Sequence, residues 1–577
     1  MWGLAKIAIP IVHPLCNEIL DYEKHFVVML VQISSGGVMK KRIVLLLVMV
    51  FQKCDAEFAD NILPTLTLDE KIGQLFIISS SAKILEKNVV DAIRKYHVGN
   101  ILLGFGTLES CFKIINQLQS MSKIPLIISI DGEWGLNLRL SNALCFPKNL
   151  TLGALEDDSL IYELGKEIGK QFKLIGVNLN FAPVVDINSN PCNPVGGERS
   201  FGDDKERVAK KAVLFMKGLQ DNGIIACAKH FPGHGDTSVD SHKKLPLIKH
   251  SLSRIKEVEL YPFKKMIEAG VKAVMSAHIC VPAIDDRLNR PITLSKKGMF
   301  DLLQTNLKFS GLVITDSLVM KAITNHYLPG EAELEAFLAG NDLLMITINT
   351  LPNAIRLIKN AIRKGIITNR EFDKRVLKIL QAKEWLRLHE YDQHKYFNIA
   401  DFNTSYSRKL KRKIYEYAIT LAKNNINSIP LKNIHKKIAS LQISSKPQRH
   451  YQQKLIQFNP GMQSFMLNPN ATKSECISMY NQLKNFDKTI VGIFDLNNFY
   501  QENYGLSNNI LNFLNDLNIN NDVILSIFGT PYCLKFFEHF DSVIVAYENC
   551  KNTQKGTVKI ITGELNARGK LPISNYS

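Results

Sequence analysis

Eight short apolar runs, separated by longer amphipathic stretches, dominate residues 60–385 of the sequence. Continuous apolar runs are typical of strands buried on both faces, and a repeated strand-then-helix order indicates a parallel sheet. Eight such units over about 300 residues fit a closed (β/α)8 barrel. We therefore predict an α/β protein with a TIM-like barrel over 60–385, whose strands are QLFIIS (74–79), VGNILLG (98–104), PLIISID (125–131), NLNFAPVVD (178–186), IIACAKH (224–230), KAVMSAHI (272–279), GLVITDS (311–317) and DLLMIT (342–347).

Polar residues lie at or near the ends of five consecutive runs. They are Asp131, Asp186, Lys229 with His230, His278 and Asp316. In a (β/α)8 barrel the active site is built at the carboxyl ends of the strands. A single polar residue there is usually a cap or a turn, but five in register predict an active site at this end of the barrel.

A second alternating region follows a charged, weakly periodic stretch at 386–405, which we interpret as a linker. Short strands separated by helices predict a smaller, doubly wound α/β sandwich domain over 406–577. Its four predicted strands are KIASLQIS (437–444), KTIVGIFD (488–495), NDVILSIFG (521–529) and DSVIVAYE (541–548).

The formal net charge of +17 raises the question of an anionic partner. The Lys and Arg residues are scattered, and the sequence has no zinc-finger spacing or RNA-recognition signature, so we expect no nucleic-acid partner. Codon bias explains a composition rich in Lys, Asn and Ile, with attraction to an anionic polymer such as bacterial cell wall as the alternative. The 10 cysteines form no CxxC pair or regular framework, and disulfides are not predicted.

The first 58 residues carry two different patterns. Residues 1–38 have no recognisable targeting pattern. The following segment, MKKRIVLLLVMVFQKCDA (39–56), has the basic start, short apolar run and small-residue ending of a secretory signal peptide. We therefore predict translation from Met39 and export to the periplasm or the medium rather than a cytoplasmic protein. The alternatives are lipidation of Cys54 and an uncleaved N-terminal anchor. We expect contact with a membrane only in these two cases.

The stretch KHFPGHGDTSVDSH (229–242) concentrates three histidines and two aspartates. Pro and Gly within it argue against the helix that would present two histidines to zinc, so no metal site is predicted. Asp240 precedes His242 by two residues and is close enough to orient the imidazole and stabilise its charged form. The glycines allow such a loop to swing over a substrate. A carboxylate nucleophile with a separate acid/base is the logic of retaining glycoside hydrolysis, and Asp316 is the best-placed carboxylate.

The sequence resembles glycoside hydrolase family 3, in particular its β-N-acetylglucosaminidase branch, from about Leu66 to Ser574. The resemblance rests on the stretch 229–242 and on TLDEKIGQL (67–75), NLNFAPVVDINSNPCNPVGGERSFG (178–202), VMSAHICVPAID (274–285), PITLS (291–295) and VITDSLVMKAI (313–323). It implies that Asp316 is the nucleophile and that His242 is the acid/base, with Asp240 as its partner. It also implies an N-acetylglucosamine subsite formed by Asp131, Arg139, Arg199, Lys229 and His230.

By this resemblance the protein is an exo-acting, retaining β-N-acetylhexosaminidase that needs no cofactor and acts as a monomer. The implied substrates are glycans that contain N-acetylglucosamine, namely muropeptides from peptidoglycan, with chitin oligomers second. Trp134 replaces a glycine that many relatives carry, and it either stacks on a sugar or fills a gap. The alternatives are a β-glucosidase or xylosidase of the same family and a non-catalytic sugar-binding barrel. Water and phosphate both remain open as acceptors.

Overall fold

The computed structural model describes residues 58–390, 396–431 and 437–574. The segment 39–56, predicted to be a signal peptide, lies outside these residues. Within the described part of the chain, no helix is long and apolar enough to cross a membrane.

The first sheet contains eight parallel strands that follow the predicted order. Each strand pairs with its neighbour in the sequence, β1 also pairs with β8, and a parallel bridge between Ile314 and Leu343 joins β7 to β8. The fold class predicted for this region is therefore confirmed as a (β/α)8 barrel. Its strands are β1 (Phe76–Ala82), β2 (Asn100–Gly106), β3 (Ile127–Ile130), β4 (Leu179–Asn180), β5 (Ile225–Phe231), β6 (Ala273–Ser276), β7 (Leu312–Thr315) and β8 (Leu344–Ile346).

Helices surround these strands, and a π-helical segment (Lys297–Asn306) precedes β7. Several helices begin at a side-chain cap, as at Thr67 and Asp204, which accept backbone N–H groups of the first turn. The helices are α1 (Phe58–Ile62), α2 (Leu68–Gly73), α3 (Lys87–Tyr96), α4 (Leu108–Met121), α5 (Asn149–Gly153), α6 (Ser159–Ile175), α7 (Lys205–Gln220), α8 (Leu252–Glu257), α9 (Leu260–Glu268), α10 (Lys321–Thr324), α11 (Glu331–Ala339), α12 (Leu351–Arg363) and α13 (Asn369–Trp385).

A lysine of α13 is buried at the end of the barrel opposite the carboxyl ends of the strands. Lys383 Nζ donates to Gln74 Oε1 at 2.6 Å and to the Gly99 carbonyl at 3.1 Å. Both partners are neutral, and burial lowers the pKa of Lys383 to about 7. This ammonium group therefore lies in a polar but uncharged site.

The second sheet has six strands in the order β11-β10-β12-β13-β14-β9, two more than predicted. The additional strands are β9 (Thr420–Asn424), which pairs antiparallel with β14, and β11 (Gln463–Leu467), which forms the other edge. Both carry half-exposed or exposed residues, so neither has the continuous apolar run of a buried strand. The remaining strands are β10 (Ile438–Ile443), β12 (Lys488–Ile493), β13 (Asp522–Ile527) and β14 (Ser542–Val545).

Helices cover both faces of this sheet, which makes the region the predicted α/β sandwich. They are α14 (Ser405–Ala418), α15 (Arg449–Phe458), α16 (Lys473–Leu483), α17 (Asn508–Asn520) and α18 (Lys551–Ile561). The stretch predicted to be a linker contains two single turns of 3-10 helix, Leu388–Glu390 and Ile399–Phe402.

Glu548, which follows β14, links the sandwich to the loop after β3 of the barrel. Its carboxylate accepts hydrogen bonds from the Lys148 N–H at 2.9 Å and the Thr151 hydroxyl at 2.5 Å. The hydroxyl of Tyr415 in α14 donates to its other oxygen at 3.0 Å. Burial raises the pKa of Glu548, so these three donors replace the solvent that the carboxyl group has lost.

Candidate active site

A cavity of about 660 Å³ opens at the carboxyl ends of the barrel strands. Its size suits a small ligand or a sugar. Seven of the eight site residues predicted from the sequence line it: Asp131, Arg139, Arg199, Lys229, His230, His242 and Asp316. The eighth, Asp240, contacts the cavity residue His242.

Asp131, directly after β3, lies between two cations. Arg139 Nη2 donates to Asp131 Oδ2 at 2.6 Å, and Lys229 Nζ donates to Oδ1 at 3.2 Å. Burial would raise the pKa of Asp131, but Lys229 and Arg139 outweigh it and hold the pKa below the ordinary value. Asp131 is therefore an ionised hydrogen-bond acceptor in the cavity.

Glu133, two residues further on, completes this charge network and was not among the predicted site residues. Arg199 donates to it through Nε at 3.0 Å and Nη2 at 2.6 Å, and Lys229 Nζ lies 3.0 Å from Oε1. Burial would raise the pKa of Glu133, but the two cations hold it well below the ordinary value. The position of Glu133 in the motif that begins at Asp131 is the one sequence signal that points to this role.

Asp316 follows β7, and its backbone continues the barrel hydrogen bonding. Its Oδ1 accepts from the Ser317 N–H at 2.7 Å. Burial would raise the pKa of this carboxyl group, but the nearby imidazoles of His278 and His230 and the Ser317 N–H keep it below its ordinary value. The carboxylate of Asp316 is therefore held in its charged form in the cavity.

His278 lies behind Asp316 and is not part of the cavity wall. Its Nε2 donates to the Ser317 carbonyl at 2.9 Å, and its Nδ1 lies 2.8 Å from the Thr293 hydroxyl. Burial lowers the pKa of His278. The imidazole of His278 thus holds the backbone that carries Asp316.

Asp186, at the end of the predicted fourth run, organises two histidines of the stretch 229–242. Its Oδ2 lies 2.7 Å from His230 Nδ1, and its Oδ1 accepts from the His234 N–H at 2.7 Å. Burial would raise the pKa of Asp186, but these contacts keep it below the ordinary value. Asp186 thus fixes the ring of His230, which lines the cavity.

Residues 231–235 are buried and closely packed, although their glycines had suggested a hinge. A Cβ atom on Gly235 would lie 1.7 Å from the Ile187 carbonyl oxygen, so close approach of two backbones requires this glycine. Asn193 Nδ2 also donates to the carbonyls of His234 and Gly235. The first half of the loop is therefore anchored.

The second half of the loop is partly open to solvent and carries His242. The His242 side chain is 67% exposed, and its Nδ1 lies 2.8 Å from Asp240 Oδ1. Asp240 also accepts the backbone N–H of His242 at 2.9 Å. These two contacts orient the ring, with Nδ1–H toward the carboxylate, so that Nε2 is the nitrogen that can exchange a proton with a substrate.

Trp134 is half-buried in the cavity wall, and the Lys148 ammonium lies 5.6 Å from the centre of its ring. The apolar part of the wall is formed by side chains such as Leu102, Met275 and Met345. Among the described residues, no group of three or more His, Cys, Asp or Glu side chains is arranged to hold a metal ion. The site thus combines apolar and charged side chains, an arrangement suited to a sugar.

Comparison with known proteins agrees with this geometry. The family model described as the N-terminal domain of glycosyl hydrolase family 3 matches residues 67–382, more than half of the 577 residues. The chain therefore belongs to glycosyl hydrolase family 3, and both the family resemblance of the sequence and the predicted fold class are confirmed.

Individual relatives are known under hexosaminidase or glucosaminidase names. Beta-hexosaminidase A of Pseudoalteromonas piscicida is 36% identical over 287 residues, which cover 46% of this chain and 48% of that protein. Beta-N-acetylglucosaminidase/beta-glucosidase of Cellulomonas fimi is 32% identical over 329 residues, which cover 56% and 58%. The chain thus spans about half the length of these two relatives.

A solved structure extends the likeness to both domains. The family 3 beta-N-acetylglucosaminidase from Paenibacillus sp. str. FPU-7 superposes with a TM-score of 0.75 at 28% identity, covering 88% of this chain and 99% of that one.

Proposed function

We propose that the protein is a retaining exo-β-N-acetylhexosaminidase that removes terminal β-linked N-acetylglucosamine. One observation carries the proposal: a charged carboxylate, Asp316, and an imidazole oriented by a carboxylate, His242 with Asp240, lie on the same cavity. These are the nucleophile and the acid/base that a double displacement at a sugar requires.

In the first step an oxygen of Asp316 bonds to the anomeric carbon while the bond to the leaving oxygen breaks. Protonated His242 gives its Nε2 proton to that oxygen, and the Asp240 carboxylate stabilises the charged form of the ring. In the second step a water oxygen bonds to the anomeric carbon, the ester to Asp316 breaks, and His242 Nε2 takes the proton of the water. Both groups then regain their starting states.

The charge network around Asp131 and Glu133 supports a role in holding the sugar. Asp131 is an acceptor for sugar hydroxyls, and Arg139, Arg199 and Lys229 are donors. Because each of these groups is already paired with an opposite charge, the network is organised before the substrate arrives. His230, held by Asp186, adds a further polar group.

The names of the Cellulomonas fimi and Paenibacillus relatives include beta-N-acetylglucosaminidase, which supports N-acetylglucosamine as the sugar removed. Muropeptides from peptidoglycan are the proposed substrates, with chitin oligomers second. The name of the Cellulomonas fimi relative also includes beta-glucosidase, which keeps this activity as the second candidate.

The test compares release of nitrophenol from the β-N-acetylglucosaminide and from the β-glucoside. We expect a preference for the N-acetylglucosaminide and no activity in Asp316→Ala. Nitrophenol leaves readily, so His242→Ala should slow mainly the second step and give a burst equal to the enzyme concentration, with turnover down about 10²–10⁴-fold. His326→Ala, which changes an exposed histidine beyond β7, is the matched control.

Three outcomes would contradict the proposal. Absence of activity on both substrates would refute the proposal that the protein is a glycosidase. A preference for the glucoside would refute N-acetylglucosamine as the sugar that it removes. Release of the sugar first as the α anomer, followed by NMR, refutes retention. The same assay with phosphate added distinguishes hydrolysis from phosphorolysis, because only the latter yields a sugar phosphate.

We also propose that the protein is exported and acts as a monomer. The pattern at 39–56 supports export. Cell fractionation with detection of the mature chain tests it, and recovery of the activity from the cytoplasm alone would contradict it. Light scattering tests the monomer.

A further inference from the structure

A second cavity, of about 710 Å³, lies in the C-terminal domain among helices α14, α15 and α18. Leu144, from the loop after β3 of the barrel, forms part of its edge. We call this cavity the basic groove, because seven of its lining residues are Lys or Arg and Glu416 is its only acidic lining residue in the described part of the chain.

Five of the seven cations have no carboxylate within 4 Å among the described residues. Their side chains project from two neighbouring helices. They are Arg408, Lys411 and Arg412 of α14 and Lys551 and Lys555 of α18. Like charges held together in a concave surface repel one another and focus a positive potential, so a bound anion would relieve this repulsion.

The remaining two cations show how the groove is held in shape. Lys454 pairs with Glu564 at 2.9 Å, and Lys559 pairs with Glu416 at 2.8 Å. The first turn of α18, at Lys551 and Asn552, also faces the groove and adds the partial positive charge of a helix N-terminus. The two paired lysines therefore fix the shape of the groove. The five cations without a carboxylate partner in the described residues leave a region where negative charge can bind.

The lining also indicates which kind of anion fits. No Phe, Tyr or Trp lines the groove in the described residues, and His450 is the one aromatic ring among its lining residues there, so successive bases of single-stranded nucleic acid would have no series of stacking platforms. None of the large exposed hydrophobic side chains of the described chain lines it either, which argues against insertion into a membrane. Polar Gln453, Gln457 and Asn552 beside the cations instead suit hydroxyl groups.

The groove is close to the active-site cavity. Leu144 lines the groove, and Lys148, four residues later, lies over the ring of Trp134 in the cavity wall. Four residues span at most about 14 Å. The loop after β3 thus connects the edge of the groove to the Trp134 side of the cavity over a short distance.

We propose that the basic groove binds carboxylate or phosphate groups of an anionic glycan, and thereby holds a chain whose terminal sugar enters the active-site cavity. The choice of a glycan over other polyanions rests on the proposed function of that cavity. Binding at two places on one chain raises the effective concentration of its end at the cavity.

Calorimetric titration of the full chain tests the groove directly. The probes are tetragalacturonate, which carries carboxylates, a glycerol phosphate oligomer, which carries phosphates, neutral chitotetraose and an oligothymidylate. The variant Arg412→Gln/Lys551→Gln/Lys555→Gln removes three groove charges. The matched control, Lys364→Gln/Arg370→Gln/Lys374→Gln, removes three exposed charges at α12 and α13 of the barrel.

We expect tetragalacturonate, the glycerol phosphate oligomer or both to bind, more tightly at low salt. The groove variant should weaken this binding tenfold or more, with the control within twofold of the wild type. Affinity for chitotetraose should stay the same in all three proteins. Melting curves check that both variants remain folded.

Equal losses of affinity in both variants would show that only the net charge of the protein matters, and would overturn the proposal. Failure of both anionic probes to bind would also overturn it. Tighter binding of the oligothymidylate, lost in the groove variant, would assign the groove to nucleic acid instead. A chain that releases nitrophenol but binds no anionic probe refutes the groove alone, whereas binding without nitrophenol release refutes the proposed function alone.

Discussion

Glu133→Gln isolates the contribution of the charge network at the cavity. Glu133 accepts hydrogen bonds from Arg199 at 2.6 and 3.0 Å and from Lys229 at 3.0 Å, and its side chain is 3% exposed. Glutamine keeps the shape but removes the charge, which leaves Arg199 facing an amide. Loss of one partner of a buried ion pair costs about 3–5 kcal/mol. Because Lys229 still pairs with Asp131 in the variant, we expect the free energy of unfolding to fall by an amount near the lower end of this range, about 3 kcal/mol.

Denaturant unfolding of the two proteins at neutral pH measures this loss. The matched control is Glu198→Gln, whose carboxylate pairs with Lys148 at 2.5 Å where both side chains are about a third exposed, and which should cost less than about 1 kcal/mol. Equal losses for Glu133→Gln and Glu198→Gln, or a loss below about 1 kcal/mol for Glu133→Gln, would refute the reasoning.

The pH dependence provides a second measurement on Glu133→Gln. The cations hold the pKa of Glu133 well below its ordinary value of 4.5, so its stabilisation is complete above that pH and is lost as the pH falls through the folded-state pKa. The difference between wild type and variant should therefore be constant near neutrality and narrow in acid. A difference in the free energy of unfolding between wild type and variant that grows as the pH falls would contradict this expectation.

Three further predictions concern the loop and the buried lysine. Asp240→Asn leaves the ring of His242 without its charged partner, and we expect kcat to fall about 10²-fold in the nitrophenol assay. Gly235→Ala places a methyl group against the Ile187 carbonyl, and the free energy of unfolding should fall by about 1–3 kcal/mol or more in denaturant titration. Lys383 has a folded pKa near 7 against 10.5 unfolded, so the wild type should gain up to about 4 kcal/mol of stability as the pH rises between these values, and Lys383→Met should not.

Each of these has an outcome that excludes it. Unchanged kcat in Asp240→Asn would remove Asp240 from the acid/base pair. Gly104→Ala, where a Cβ meets its nearest atom at 3.4 Å, should be nearly neutral, and an equal loss there would show that close packing is not the cause at Gly235. Parallel pH profiles of wild type and Lys383→Met would show that Lys383 does not titrate between pH 7 and 10.5.

Much of the fold could be predicted because parallel strands leave a local signature. A strand buried on both faces is a continuous apolar run whatever its partners are, and the barrel and the inner strands of the second sheet have this pattern. β9 and β11 lie at sheet edges, where one side remains exposed, so they lack the pattern and were missed. Their place depends on which strand has a free edge, and that is a property of the assembled sheet.

The residues of the candidate active site likewise fall into those that the sequence could predict and those that it could not. The sequence by itself determined the residues whose role follows from position in a strand or from short spacing: Asp316 at the end of a run, and Asp240 two residues before His242. Only the tertiary structure decided that Glu133 pairs with Arg199, 66 residues away, and that Asp186 holds both His230 and His234. It also decided that Gly235 is needed for close packing with Ile187 rather than for motion. Neighbours along the chain are constrained by covalent geometry, whereas pairs between strands exist only once the barrel brings the strand ends to one edge.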